Sequence, residues 1–332
     1  MKQNQTKVFE LINETIFAKI RNGENLLVKT QMPIDVKGTT CYIDEPRNYE
    51  TNKPYTGVNR AILPSGYYLT PNQVFKLKGK IKKGAKTTLC TLCIPREFIT
   101  FTYMSEDNKT VLEKTMYKST FEKLDPQPEV IDKKEFTTFT WTYFRVLNIN
   151  DCENLPEFEW LNKLPKVKKS VKQPTQELSM LAEYVLKQNV DGDNQPKLIK
   201  DCELPSSCYD PKEDAICMKN FYEYKDASDY YNQLFHELSH STVYKTRLDR
   251  EGIKNSEFGD DNYSVEELIA QTTATYIMGK LDLLTNKLLQ ESKQYIQSWY
   301  SHLSEKLKSE PNLLVRVLTQ SDKAYRYIFK VQ

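Results

Sequence analysis

The chain has 332 residues, of which 28% are charged and 39% fall in the hydrophobic class, and its formal net charge is +2. This length accommodates two domains of ordinary size, each with its own core. Because the net charge is close to zero, overall charge gives no argument for nucleic-acid binding. The sequence also has no apolar run long enough to predict a membrane span. The polar N-terminus does not resemble the apolar core of a secretion signal, so we expect a cytoplasmic protein with no membrane partner.

The N-terminal third shows a helix, a shaped loop and a second helix start. Residues 7–21 carry apolar side chains at helical spacing, which predicts an amphipathic helix. Residues 52–63 begin with Pro, Gly and Asn, which are typical of a loop, and continue into an apolar segment. Thr70 followed by Pro71 is typical of a capped helix start.

A lysine cluster follows this helix start, and glycines interrupt it. Such lysines, with aromatic residues nearby in sequence, are typical of proteins that bind single-stranded nucleic acid through a cationic track and stacking platforms. A solvated lysine loop beside core aromatic residues explains the same composition, and composition alone favours that alternative. The lysines are Lys76, Lys78, Lys80, Lys82, Lys83 and Lys86, and the aromatic residues are Tyr55, Tyr67, Tyr68 and Phe75.

Strands are predicted for residues 87–94, 98–104 and 136–148, the last rich in aromatic and β-branched residues. Cys90 and Cys93 lie in the first of them, where residues three apart face opposite sides of a strand. We therefore interpret them as buried strand cysteines and not as metal ligands. The seven cysteines are odd in number and irregularly spaced, which favours free thiols in a reducing cytoplasm over a disulfide framework.

A break in the pattern at residues 156–175, which are polar, lysine-rich and bounded by prolines, predicts an interdomain linker. We therefore expect an N-terminal domain over residues 1–155 and a second domain over residues 176–332. Within the second domain, a helix over 178–188 precedes a turn and a strand over 208–218, and the C-terminal residues are helical.

The motif that dominates the second domain is His236-Glu237-Leu238-Ser239-His240, which contains two of the three histidines of the chain. On a helix, positions four apart share one face, so His236 and His240 can bind one metal ion. Glu237 lies about 100° further round, where it could reach a water on the metal. This is the H-E-x-x-H arrangement of zinc metallopeptidases of the zincin type. The third histidine, His302, is interpreted as a surface or packing residue.

A zincin needs a third protein ligand, and a second helical stretch over residues 262–274 offers carboxylates. Glu267 is the predicted ligand, because its surroundings resemble the ligand helix of gluzincins, the branch that uses a glutamate; Gln271 stands where that branch more often has an acid. Two alternatives remain open. Ser264 and Glu267 also fit a capping box, in which Glu267 would bind backbone, and Glu266, Asp260 or Asp261 could be the ligand instead.

Taken together, these segments resemble the ArdC antirestriction family of mobile elements such as plasmids. The loop at 52–63, the segment 66–86 and the strand at 143–148 resemble the N-terminal part of that family. The extended metal helix, the third-ligand helix and the helix after it resemble its C-terminal part, at residues 230–250, 263–268 and 296–300.

This resemblance implies an α+β protein of two domains, an N-terminal α+β domain of the single-stranded-DNA-binding type and a mainly helical, zincin-like metallopeptidase domain. It implies one Zn²⁺ per chain on His236, His240 and Glu267, with Glu237 as the general base in cleaving a peptide or protein substrate. The oligomeric state is not predicted. The residues that it implies for DNA binding are Lys53, Tyr55, Asn59, Arg60, Lys78, Lys80, Lys82, Lys83 and Lys86.

Two further hypotheses stay open on the sequence. In one, the protein is a non-catalytic antirestriction factor that binds DNA or protein, with a structural or relic metal site; an intact Glu237 argues against it. In the other, the protein is a metallopeptidase whose N-terminal domain recognises protein, and DNA binding would be absent.

Overall fold

The computed structural model describes residues 2–22, 32–36, 39–43, 45–105, 109–125, 128–163, 175–250 and 261–331. Residue contacts divide the chain into two compact units, one formed by Met1–Val8 with Cys90–Phe144 and the other by Phe9–Leu89 with Arg145–Gln332. We call them the sheet unit and the main unit. Among the described residues, no helix combines the length and the apolar character that a membrane crossing requires.

The N-terminal half alternates short helices with strands, two of which are long. Its elements are α1 (Lys2–Arg21), β1 (Met32–Val36), β2 (Thr39–Ile43), β3 (Pro46–Asn48), α2 (Val58–Ile62), β4 (Gly66–Leu69), α3 (Pro71–Lys76), β5 (Lys80–Ile81), β6 (Thr88–Met104), β7 (Val111–Tyr117), α4 (Lys118–Phe121), β8 (Val130–Asn148) and β9 (Cys152–Glu153). The predicted strands at 87–94 and 98–104 are thus one continuous strand, β6. Cys90 lies buried on it and Cys93 is half-buried.

The C-terminal half is mainly helical. Its elements are α5 (Thr175–Lys187), β10 (Lys197–Ile199), β11 (Cys208–Asp210), β12 (Ala215–Cys217), α6 (Ala227–Ser241), α7 (Asp261–Lys280), α8 (Asn286–Ser309) and α9 (Leu313–Phe329). The predicted α+β class, with strands concentrated towards the N-terminus and a helical zincin-like region towards the C-terminus, is confirmed. The side chain of His302, on α8, lies outside the described residues.

The largest sheet has the strand order β3-β4-β8-β6-β7. In the sheet unit, β6 and β7 pair antiparallel from Phe98↔Tyr117 to Met104↔Val111. Because side chains alternate along a strand, one face carries the buried residues Ile99 and Phe101, which pack on Phe121. The opposite face carries Phe98, whose ring stacks on Tyr117 and on Phe136 with centroids 4.6 and 5.7 Å apart.

In the main unit, a capped helix and an aromatic cluster fix the N-terminal segment. Thr70 and Gln73 form a capping box at the start of α3, as Thr70-Pro71 predicts. Tyr49, Tyr67 and Leu161 belong to one hydrophobic cluster, against which Trp160 packs. Residues 160 and 161 of the predicted linker are therefore packed in a core, whereas residues 164–174 lie outside the described residues. The domain boundaries predicted at residues 155 and 175 stay a prediction. The compact units are discontinuous in sequence and follow a different division of the chain.

The C-terminal part of the main unit is organised around α7, which packs against both α6 and α9. The side chains of Ala270, Ala274 and Ile277 are fully buried along α7. A small sheet with the order β10-β12-β11 packs on α6, so that β11 is an edge strand beside this helix. This arrangement places α6 between the edge strand on one side and α7 on the other.

Candidate functional site

Helix α6 holds the H-E-x-x-H residues in a fixed position. Asp226 caps the helix, and its carboxylate accepts a hydrogen bond from the backbone N–H of Asp229 at 2.9 Å. Leu234, Phe235 and Leu238 are buried and anchor the helix in the core. His236 and His240 then lie one turn apart on the same face, with ring centroids 4.7 Å apart.

Helix α7 brings Glu267 to both histidines. The two carboxylate oxygens of Glu267 lie 3.3 Å from His236 Nε2 and 3.2 Å from His240 Nε2. Helix α7 begins at Asp261, so Ser264 lies within it and cannot cap its start. The alternative interpretation of Ser264 and Glu267 as a capping box is therefore wrong. Among the described residues, these three are the one group with metal-ligand geometry.

The spacing of the three groups fits a metal ion. His236 Nε2 and His240 Nε2 are 3.0 Å apart, and both face the Glu267 carboxylate. Ligands at about 2.0–2.1 Å in a zinc tetrahedron are separated from one another by roughly 3.3 Å, close to the separations found here. Two imidazoles and one carboxylate also leave the fourth position of a tetrahedron open, as catalytic zinc sites require.

Three further side chains orient the histidines. Gln271 Oε1 lies 3.2 Å from His236 Nδ1. Glu266, which is 1% exposed, places an oxygen 3.6 Å from His240 Nδ1, and its carboxylate is ion-paired with Arg250. With Nδ1–H directed at an acceptor, each ring offers Nε2 to the metal position. Glu266, an alternative ligand in the sequence, thus lies on the far side of His240 from the point where the Nε2 atoms converge. Asp260 lies outside the described residues, as does the side chain of Asp261.

The histidines and carboxylates of the site shift one another's pKa values. Burial on its own would lower the pKa of His240, but the neighbouring carboxylates of Glu266 and Glu267 raise it to about 9. Burial would raise the pKa of Glu267, yet the two histidines hold it well below its ordinary value. The pKa of Glu266 is also lowered, because Arg250 and His240 outweigh its burial. The carboxylates are therefore charged at neutral pH, the state in which Glu267 can bind a cation.

Glu237 is buried beside this group, at 5% exposure. Burying a carboxylate costs free energy unless the group is paired or hydrogen-bonded. Gln233, one turn earlier on α6, donates a hydrogen bond of 2.5 Å from Nε2 to Glu237 Oε1. Burial, followed by the charge of Glu237, raises the pKa of the Cys208 thiol at the start of β11. The Glu237 carboxylate therefore lies within electrostatic reach of Cys208 on β11.

The lysines predicted to bind DNA are exposed on the surface of the main unit, namely Lys53, Lys78, Lys80, Lys82, Lys83 and Lys86. Lys82 Nζ donates to the carbonyl oxygen of Asn150 at 3.0 Å. Phe75, just before this lysine segment, is 63% exposed and so offers an aromatic face. Exposed lysines and one exposed ring thus lie within the same segment, residues 75–86.

Arg60 requires a correction, because it is 1% exposed and cannot contact DNA. Its guanidinium lies 3.0 Å from Glu45 and 3.6 Å from Asp322 on α9. The rings of Tyr276 and Tyr325 also face it, with centroids 5.2 and 4.0 Å away. Arg60 therefore links α2 to the C-terminal helices. Removing a buried charge of this kind would leave its carboxylate partners uncompensated, which is strongly destabilising.

The aromatic residues near the lysines are less available than their sequence positions suggest. Tyr67 is 0% exposed and Tyr68 3%, so both belong to the core. Tyr55 is half-buried, with its ring edge-to-face on Tyr68 at 6.2 Å, and Asn59 is half-buried on α2. The alternative that composition favoured, core aromatic residues beside the lysines, is therefore confirmed for Tyr67 and Tyr68, because both faces of β4 are buried.

Several residues near the site are absent from the sequence-based set. Gln233, Arg250 and Gln271 orient the metal-site residues through side-chain contacts. Helical spacing would have indicated Gln233, four residues before Glu237, but Arg250 contacts Glu266 only through the tertiary fold. In the sheet unit, Tyr117 and Phe136 are 42% and 38% exposed and stack on Phe98, an aromatic row that strand alternation could have indicated.

Two protein families match different parts of the chain. Residues 6–138 match the N-terminal domain of anti-restriction factor ArdC. Residues 198–311, which include all of α6, α7 and α8, match a zincin-like metallopeptidase family. The second match contains all residues of the metal-site geometry described above.

Similar proteins of known sequence include the DNA primase TraC of Escherichia coli, which is 23% identical over 328 residues. That match covers 96% of this chain but 20% of TraC, so the chain spans about a fifth of the length of this relative. An uncharacterised protein, y4eC of Sinorhizobium fredii (strain NBRC 101917 / NGR234), is 33% identical over 95 residues, 29% of this chain and 30% of y4eC.

Solved structures of the antirestriction protein ArdC from plasmid R388 resemble the whole chain. The Mn(II)-bound structure matches with a TM-score of 0.57 and 21% identity, covering 97% of both chains. The metal-free structure gives the same TM-score and identity, with 98% of both chains covered. An N-terminal domain like that of ArdC and a zincin-like metallopeptidase domain thus occur in one chain whose fold resembles that of the R388 ArdC protein.

Proposed function

We propose that the protein is a zinc-dependent peptidase that also binds single-stranded DNA and acts against restriction of incoming DNA. The observation that carries the peptidase part is the convergence of two Nε2 atoms and one carboxylate within 3.3 Å of one another, beside the buried Glu237. Neither a packing histidine nor a surface ion pair needs this combination, whereas zinc peptidases do.

His236, His240 and Glu267 would hold the ion. Zinc suits two imidazoles and a carboxylate, although the related R388 structure contains Mn(II), which carboxylate and imidazole ligands also accept. When bound, the ion would supply Lewis-acid chemistry, polarising the scissile carbonyl and acidifying a water molecule. Gln271 and Glu266 would keep both imidazoles in the tautomer that offers Nε2.

Glu237 would be the general base. Its carboxylate accepts the proton of the attacking water and returns it to the nitrogen of the leaving amine. The hydrogen bond from Gln233 fixes one oxygen of Glu237 and leaves the other for this transfer. Because the group is buried, water is largely excluded around it, which strengthens its interaction with a proton donor.

The edge strand β11 would bind the substrate. Among the described residues it pairs only with β12, and it packs against α6. An extended peptide can add to such an edge through backbone hydrogen bonds, and its side chains then alternate between the protein and solvent. This mode favours unfolded or extended protein segments as substrates.

The DNA-binding part rests on the exposed lysines of the main unit and on Phe75. Lysines on a loop recognise the phosphate backbone without reading bases, so little sequence preference is expected. Protection of mobile-element DNA could then follow from occupying the single strand or from cleaving a host protein. The six described cysteines are free thiols, which suits a cytoplasmic location.

The test is Glu237→Gln, with Glu213→Gln on the exposed β11–β12 turn as the matched control. Purified protein should contain one zinc ion per chain, and Glu237→Gln should retain it while losing cleavage of unfolded casein by at least about 100-fold. Glu213→Gln should cleave as the unaltered protein does. Retained cleavage in Glu237→Gln would disprove the general base, and absence of metal from the unaltered protein would leave DNA binding as the remaining function.

A further inference from the structure

A cavity of about 510 Å³ lies on the opposite side of α6 from the metal ligands. The C-terminal ends of α6 and α9 line it, together with the segment after α5. Leu238 and Tyr327 contribute apolar surface, and none of His236, His240 or Glu267 is among the lining residues. This volume is within the range of pockets that hold small organic molecules.

The charged residues around this cavity are all cationic. They are Arg247, Lys323, Arg326 and Lys330, and no aspartate or glutamate is found among the lining residues. Arg247 is neutralised by its ion pair with Asp214. Lys323 and Lys330 form no ion pair within the part of the chain that the structure describes.

Arg326 belongs to a buried network with one surplus positive charge. Arg47, Arg60 and Arg326 share two carboxylates, Glu45 and Asp322. Nε of Arg326 contacts Asp322 at 3.1 Å, whereas Nη2 is buried without a hydrogen-bond partner among the described residues. This Nη2 lies 3.9 Å from a carboxylate oxygen of Glu45, inside the network. Because it is buried there, it cannot contact a molecule in the cavity, and the cations that remain available are Lys323 and Lys330.

Cations near helix C-termini often compensate the negative end of the helix dipole, but here the terminal carbonyls already have donors. The carbonyl of Arg326 accepts from the backbone N–H of Val331 at 3.0 Å, and that of Ile328 accepts from Asn189 at 3.0 Å. At the end of α6, the carbonyl of Ser241 accepts from Arg247 Nε at 2.7 Å. Helix capping therefore does not account for Lys323 and Lys330.

We propose that this cavity binds a small organic anion, with its apolar body against Leu238 and Tyr327 and its anionic group beside Lys323 and Lys330. The ligand class is an apolar or ring-containing molecule that carries one phosphate, sulfonate or carboxylate. The site is separate from the metal centre, so its occupancy is tested without peptidase activity or zinc.

The probe is 8-anilinonaphthalene-1-sulfonate, an apolar ring system with one sulfonate, titrated by calorimetry into the full chain. One saturable site per chain is expected. Lys323→Ala combined with Lys330→Asn should weaken it about tenfold, because two charges within a few ångströms are removed. Lys330 has a φ of 52°, which asparagine tolerates, and Lys323 is exposed, so this variant should fold.

The matched control is Lys82→Ala with Lys83→Ala, which removes two exposed lysines that do not line the cavity. It should bind the probe as the unaltered chain does. Competition then separates two natural sources of the anion: displacement by adenosine 5′-monophosphate indicates a nucleotide, and displacement by octanoate indicates an apolar carboxylate. Absence of a saturable site, equal affinity in the lysine variant and its control, or displacement by neither competitor would overturn the proposal.

Discussion

The metal centre and the lysine segment both depend on charged side chains, yet the structure places those charges in opposite environments. At the metal centre, Glu266 is 1% exposed and Glu237 5%, and each has a defined side-chain neighbour. In the lysine segment, Lys80, Lys82 and Lys83 are exposed. The metal centre therefore depends on the fixed positions of its side chains, whereas the lysine segment depends on how many positive charges it carries. The first should tolerate almost no change, and the second should respond in proportion to charge.

Arg60 sharpens this comparison, because it lies in the segment that resembles a DNA-binding loop but has the environment of a buried charge. Arg60→Ala should destabilise the fold by about 3–5 kcal/mol, since it leaves Glu45 and Asp322 with a lost partner. Denaturant unfolding measures this change. Lys53→Ala, an exposed lysine of the same loop, should stay within about 0.5 kcal/mol of the unaltered protein. Equal effects of the two substitutions would show that Arg60 is not a structural residue.

The adjacent glutamates of α7 have different proposed roles, Glu267 as a metal ligand and Glu266 as a group that orients His240. Glu267→Ala should abolish stoichiometric zinc, because it removes one of three protein ligands. Glu266→Gln should weaken zinc binding by about 10–100-fold, the usual range for a group that orients a ligand histidine. Competition with a metal indicator measures both. A larger loss in Glu266→Gln than in Glu267→Ala would reverse the two assignments.

The lysine segment should behave additively. Replacing Lys80, Lys82 and Lys83 with alanine should weaken binding to a single-stranded oligonucleotide, and the slope of log affinity against log salt should fall by about 2. Unfolding free energy should be unchanged, since all three side chains are exposed. Fluorescence anisotropy at several salt concentrations measures the slope. Binding that keeps its full slope would place the DNA surface elsewhere, with the row of Phe98, Tyr117 and Phe136 as the next candidate.

The smallest expected effect is a pH dependence of stability in chelator-treated protein. The pKa of His240 is raised from 6.5 to about 9 in the fold, with burial opposing and Glu266 and Glu267 favouring the protonated ring. Its contribution to stability is therefore fully present below pH 6.5 and is lost as the pH rises through about 9. Tm should fall by a few degrees over this window, and the fall should be smaller in His240→Ala. Added zinc should remove it, because the ion replaces the proton.

The elements that sequence patterns predicted well are those with strong local signals. The helix cap at Thr70 and the helical spacing of His236 and His240 both depend on residues within one or two turns. Choosing between Glu266 and Glu267 needed more, because neighbouring residues on a helix point about 100° apart and only the packing of α7 on α6 shows which one faces the histidines. Ser264 was ambiguous for a similar reason, since a capping motif has meaning only where a helix begins.

The sequence by itself determined the class of the site, because two histidines at helical spacing with an adjacent glutamate need only one helix to become a metal-binding face. It also determined that the lysines would be exposed, since six of them with interrupting glycines cannot be buried. Only the tertiary structure decided that Arg60 is enclosed by Tyr276, Tyr325 and Asp322, residues more than 200 positions away. Likewise, only the tertiary structure places Arg247 beside Lys323 and Lys330 around one cavity. Burial of a charge depends on partners that are distant in sequence, and no local pattern records them.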